Sequence, residues 1–145
     1  MSTQPVWEQV GPLLGETARL WRARLDERLR PLGLSQARWL VLLQLHRRGD
    51  GAVQKALAQW VGIEGPTLVR LLDRMSADGW IERRESPQDR RAKTVHLTDQ
   101  ARAVIRRIDR VAAQLRNELL MDLDPGQVET CMAVLRQIRQ RAEQL

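Results

Sequence analysis

Residues 80–98 interrupt a chain that otherwise reads as helix, and that interruption constrains the fold more than any other stretch. Trp80-Ile81-Glu82-Arg83-Arg84-Glu85 and Thr94-Val95-His96-Leu97-Thr98 are short runs suited to strands, and Ser86-Pro87-Gln88-Asp89-Arg90-Arg91-Ala92-Lys93 separates them. Short runs joined by a proline-marked polar loop predict a two-stranded ribbon. Its tip carries Arg90, Arg91 and Lys93. A narrow cationic tip has the dimensions to enter a DNA minor groove, where the potential is negative.

The flanking chain is punctuated by glycine and proline. Val10, Leu13, Leu14, Trp21, Leu25 and Leu29 recur at helical spacing until Pro31 and Gly33 end a long first helix. Ser35 caps a second helix, whose inner side includes Trp39, Leu42, Leu43 and His46, before Gly49-Asp50-Gly51 breaks it. A short third helix runs from Val53 to about Trp60, with Val53, Ala56, Leu57 and Trp60 as its core positions. Gly62 then supplies the tight turn of a helix-turn-helix. Pro66 opens a fourth helix and Gly79 closes it, since proline needs no hydrogen-bond acceptor in the first turn and glycine accepts a left-handed cap. On its wheel Leu68, Leu71, Leu72 and Met75 share one side, while Thr67, Arg70 and Arg74 fall within about 60° on another.

After the ribbon, Thr98 caps a long fifth helix bearing Ala101, Val104, Ile105, Ile108, Val111, Ala112, Leu115 and Leu119. Asp124-Pro125-Gly126 interrupts it, and a last helix carries Val128, Cys131, Met132, Leu135, Ile138 and Ala142. The expected fold is mainly α with a small β-wing, in the order α-α-α-α-β-β-α-α: a winged helix-turn-helix over residues 35–98. Residues 1–34 and 99–145 supply long amphipathic helices with no enclosing partner in so small a core. These are read as dimerisation helices, so a homodimer is expected.

At 145 residues the chain has room for one real core. Lys+Arg 24 against Asp+Glu 18 gives a net charge of +6, which favours an anionic partner. Residues 61–100 hold seven cations and seven acids, so position matters more than sum. Arg83, Arg84, Arg90, Arg91 and Lys93 crowd around only Glu85 and Asp89. Lys55 and Lys93 are the only lysines, and arginine suits bidentate contacts to phosphate and guanine. His46, His96 and Cys131 lie on different elements, which leaves no zinc-type spacing and no metal or cofactor expected. A single cysteine, at an apolar helical position, is expected to be a buried inert thiol in a reducing cytoplasm. The longest apolar run, Trp39-Leu40-Val41-Leu42-Leu43, is far short of a membrane span, and Met1-Ser2-Thr3-Gln4-Pro5 lacks the regions of a signal peptide. A cytoplasmic protein without membrane partner is expected. No phosphate-binding loop, nucleophile elbow or catalytic carboxylate pair is present, so no enzyme is expected.

Several stretches resemble the MarR family of transcriptional regulators, and within it the SlyA-type subgroup. They are Leu20-Trp21-Arg22-Ala23, Arg28-Leu29-Arg30-Pro31-Leu32, Gly62-Ile63-Glu64-Gly65-Pro66-Thr67-Leu68-Val69-Arg70 and Asp89-Arg90-Arg91-Ala92-Lys93 with Leu97-Thr98. The resemblance implies a dimer of triangular outline whose wings straddle a pseudopalindromic double-stranded DNA operator, acting as repressor or activator. It makes the helix opening at Pro66 the major-groove reader, with Thr67, Arg70 and Arg74 on its open face. Arg70 is the first choice for a base contact, because a guanidinium can donate two parallel bonds to guanine. Arg91 matches the position that enters the minor groove, and Asp89 the acid that shapes the tip. Arg83, Arg84, Arg90 and Lys93 are assigned to phosphates.

The resemblance further implies control by a small aromatic or phenolic anion, for which Trp21, Arg22, Trp39 and Leu43 lie on suitable elements. The same tryptophans at helical spacing read more readily as core. Thiol-sensing relatives carry a cysteine in the first helix; this chain has none there. Two rivals stand beside the specific regulator. One is an architectural protein that binds DNA or RNA through phosphates alone, although the absence of Phe and Tyr weighs against single-strand stacking. The other is a ligand-binding or protein-interaction module with a degenerate helix-turn-helix, against which Arg70 and Arg91 speak.

Overall fold

A computed structural model describes residues 5–145. Helix α1 spans Val6–Leu29 and passes into a single 3-10 turn, Arg30–Leu32, closed by Gly33 at φ 72°. Helix α2 covers Gln36–Arg48; the Ser35 hydroxyl accepts from the Arg38 amide, as a cap should, and the Gly49 amide donates to the Leu45 carbonyl. Strand β1 (Ala52–Val53), helix α3 (Gln54–Val61) and helix α4 (Gly65–Ala77) follow. Strands β2 (Ile81–Glu85) and β3 (Lys93–Leu97) form the wing, and helices α5 (Asp99–Leu120) and α6 (Pro125–Glu143) complete the chain.

The expected ribbon is the larger part of a three-stranded antiparallel sheet, in the order β1-β3-β2. Strand β1 is the addition. Ala52 pairs with Val95 and Val53 with Thr94, which places Val53 in a strand where it is 40% exposed, and not in the core of α3. Two residues are too few for an alternation to be visible in sequence, so only the edge of β3 that the β2–β3 ribbon leaves open explains the pairing. Lys93 likewise belongs to β3 and not to the loop.

The core joins Leu25 and Leu29 of α1, Trp39, Val41, Leu42, Leu43 and Leu45 of α2, and the inner faces of α3, α4 and the sheet. Trp39 is 1% exposed, and its indole N–H donates to Asp26 at 3.0 Å. His46 is exposed, contrary to its expected place on the inner side, and meets Asp109 of α5 at 3.1 Å. Trp60, expected in the core of α3, is only half-buried, and the Arg48 guanidinium lies over its ring at 5.3 Å from the centroid.

Two compact units emerge, one ending at Ala113 and the other covering Gln114–Leu145. Within the first, α5 buries Ala101, Ile105, Ile108 and Ala112, which corrects the expectation that it lacks an enclosing partner. In the second, α6 begins at an Asp124 cap that accepts from Gln127 at 3.0 Å, and none of its residues is buried. Cys131, expected inside, is exposed. Val6, Val10, Leu13 and Leu14 of α1 are exposed as well. Among the described residues no helix is long and apolar enough to cross a membrane.

Candidate nucleic-acid interface

The turn between α3 and α4 is set by Gly62, at φ 77°, whose amide donates to the Ala58 carbonyl. Ile63 donates to the same carbonyl. This doubly bonded left-handed cap ends α3 sharply and lets Pro66 enter the first turn of α4. Leu68, Leu71, Leu72 and Met75 are buried, which fixes the roll of the helix. Thr67, Arg70 and Arg74 are therefore presented on its exposed side. Among the described residues neither Arg70 nor Arg74 has a side-chain partner. The acid beside Arg70, Asp73, is engaged instead by Arg83 of β2.

That pairing follows from strand register. Ile81 stands opposite Leu97, Arg83 opposite Val95 and Glu85 opposite Lys93, so these six share one face of the sheet. Ile81, Val95 and Leu97 are buried on it, and Arg83, next along the same face, has a side chain 27% exposed that reaches Asp73. Arg83 thus ties the wing to α4. Arg84 lies on the other face and meets Glu82 at 3.2 Å, and Lys93 lies 3.9 Å from Glu85. Three of the four cations expected on phosphate stand beside carboxylates. The fourth, Arg90, has no partner among the described residues.

At the tip the ladder continues one step, with the Ser86 amide donating to Ala92 at 3.0 Å. Inside that closure the Asp89 carboxylate accepts from the Arg91 amide at 2.9 Å, and the Asp89 carbonyl accepts from Ala92 at 3.1 Å. Such an Asx-type turn orders the backbone on which Arg90 and Arg91 sit while leaving both guanidinia exposed. Among the described residues Arg70 and Arg74 on the open side of α4, and Arg90 and Arg91 at the wing tip, are thus exposed cations without an ion-pair partner. Exposed, unpaired arginines on a helix and on a narrow loop can donate to phosphates and to base edges.

The four side chains linked to a small anion separate. Trp39 and Leu43 are core residues, Trp21 is half-buried on α1, and Arg22 is exposed. Sequence reasoning did not single out Asp73 as a partner of Arg83, nor Asp50 and Arg102, which meet at 3.0 Å at the base of the wing. Only the Gly-Asp-Gly break hinted at Asp50.

A family model described as MarR family matches residues 32–92. A solved structure of transcriptional regulator PA3341 is 48% identical, with 94% of this chain and 99% of that chain covered and a TM-score of 0.88. The apo form of wild-type MarR from E. coli is 27% identical, covering 94% of this chain and 98% of that one, with a TM-score of 0.76. The transcriptional regulator SlyA shares the fold at 19% identity, covering 93% and 94% with a TM-score of 0.81.

Proposed function

Since this chain belongs to the MarR family of transcriptional regulators, we propose that it acts by binding double-stranded DNA sequence-specifically as a homodimer on a pseudopalindromic operator. The observation that carries the reading is the distribution of unpaired charge: Arg70 and Arg74 on α4 and Arg90 and Arg91 on the wing tip are exposed, while the cations between them stand beside acids. In this division α4 enters the major groove, Arg70 reads a base edge, Thr67 and Arg74 flank it, and Pro66 sets the entry of the helix. Arg91 enters the minor groove from a turn that Asp89 holds, and Arg90 contacts phosphate. Arg84 and Lys93 reach phosphate only by exchanging an exposed carboxylate partner, an exchange that costs little at a solvated surface.

The second copy covers apolar side chains of α1 and α6. Trp7 and Leu13 on α1 and Met132, Val134 and Ile138 on α6 are exposed, and large apolar side chains repeated along a helix call for cover. Two symmetric half-sites about one helical turn apart follow from such a dimer. The family likeness and the SlyA-type motifs favour an aromatic anion as effector, and of the four side chains suited to it Trp21 and Arg22 remain open to a ligand. No catalytic step is part of this function.

Selection of bound duplexes from random DNA tests specificity and symmetry together. A palindromic consensus is expected; recovery of unenriched sequences would leave only phosphate binding. On the selected duplex Arg70→Ala is expected to cost about 1–3 kcal/mol and to relax preference at one base pair. Equal losses on selected and random DNA would remove Arg70 from base reading.

A further inference from the structure

The Gly49-Asp50-Gly51 turn does more than end α2. Extending the Ala52–Val95 register by two residues sets Asp50 opposite Leu97, but β1 has stopped by then and offers no backbone carbonyl to the Leu97 amide. The Asp50 side chain takes that place: its Oδ1 accepts from the Leu97 amide at 2.7 Å and from the Gly51 amide at 3.0 Å. Its Oδ2 accepts from the Arg102 guanidinium at 3.0 Å, and the other arm of Arg102 donates to Asp99 at 3.0 Å. One carboxylate thus joins the end of α2, the inner end of β3 and the first turns of α5.

The turn is shaped for this. Gly51 has φ +80°, its amide also donates to the Val95 carbonyl at 2.9 Å, and a Cβ there would come within 2.9 Å of His96 Cε1. Only glycine combines that backbone with that approach. The wing leaves the domain from this end of β3, so an angular error at Leu97 is magnified at Arg90 and Arg91 on the far end of the ribbon.

We propose that Asp50 is a positioning residue for DNA binding, holding the wing at its root so that the tip arginines reach the duplex. This rests on the DNA-binding reading given above. An ion pair between exposed groups would matter little here, but a charged acceptor on two backbone amides is a stronger tie and is directional. Asp50 touches no DNA itself. Its effect must therefore pass through the wing cations.

The test is a double-mutant comparison on a fluorescent mixed-sequence DNA duplex over a salt series. Asp50→Ala is expected to weaken binding on the order of tenfold and to flatten the salt dependence in the wild-type background. In a protein already carrying Arg90→Ala and Arg91→Ala it should have little further effect. Asp50→Asn keeps an oxygen acceptor for both amides and should fall between wild type and Asp50→Ala. Equal factors in the two backgrounds, or unchanged binding by a folded Asp50→Ala protein, would overturn the proposal while leaving DNA binding intact. If Asp50→Ala fails to fold, Arg102→Ala, which removes only the outer bond, carries the same comparison with a smaller expected effect. Failure of the wild-type protein to bind any duplex would instead overturn the DNA-binding reading, and the role of Asp50 with it.

Discussion

Helices α5 and α6 are built alike in sequence and differ in what covers them. Both are long, 22 and 19 residues, and both repeat apolar side chains at helical spacing. Helix α5 sinks Ala101, Ile105, Ile108, Ala112 and Leu115, whereas α6 leaves Met132, Val134 and Ile138 exposed and buries nothing. A periodic apolar face states that a helix needs cover. It does not say whether the same chain supplies that cover.

The sharpest way to break this comparison is to make one substitution on each helix. Ile105 is 1% exposed and Ile138 is 37% exposed, and truncation to alanine removes the same atoms from both. Ile105→Ala is expected to lower the unfolding free energy by about 2–5 kcal/mol in chemical denaturation, because a closed site keeps the cavity. A loss below about 1 kcal/mol would mean that α5 is far less enclosed than its burial indicates.

The caps give an intermediate test. The Thr98 hydroxyl accepts from Ala101 at 3.2 Å at the start of α5 and donates to the Gly79 carbonyl at 2.7 Å. Asp124 caps α6 through Gln127 alone. Each cap is worth about 0.5–2 kcal/mol, and Thr98→Ala should fall at the upper end because it also strands a carbonyl beside the wing. Thermal melts of Thr98→Ala and Asp124→Ala should rank in that order. The reverse ranking would show that the second bond of Thr98 is without weight.

The smallest effect is expected from Ile138→Ala. In dilute protein it should change unfolding by less than about 0.5 kcal/mol, as surface substitutions do. Light scattering across a concentration series gives the complementary reading: a second copy seated on α6 makes Ile138→Ala shift the mass toward monomer. Monomeric wild-type protein at every concentration would remove the proposed dimer.

Much of the architecture was legible because its signals are local. Ser35, Gly62, Pro66, Gly79, Thr98 and Asp124 each act on the hydrogen bonds or dihedrals of their own turn, and each ends or opens an element where expected. The burial of Leu68, Leu71, Leu72 and Met75 against the exposure of Thr67, Arg70 and Arg74 was legible for the same reason: one helical period separates the two faces. Strand β1 was not, since two residues carry no period and gain order only by pairing with β3. Nor was the sorting of the wing cations, because Arg83 meets an acid ten positions away and Asp50 meets Arg102 across 52.

By itself, then, the sequence determined the order of the helices, the face that α4 buries and the hairpin that bears Arg90 and Arg91, because capping, periodicity and turn chemistry act over a few residues. Tertiary structure alone decided which arginines are left without a partner, why Cys131 and His46 stand at the surface, and how Asp50 completes the edge of β3. Those outcomes depend on which groups distant in the chain meet in space, and no local pattern encodes that meeting.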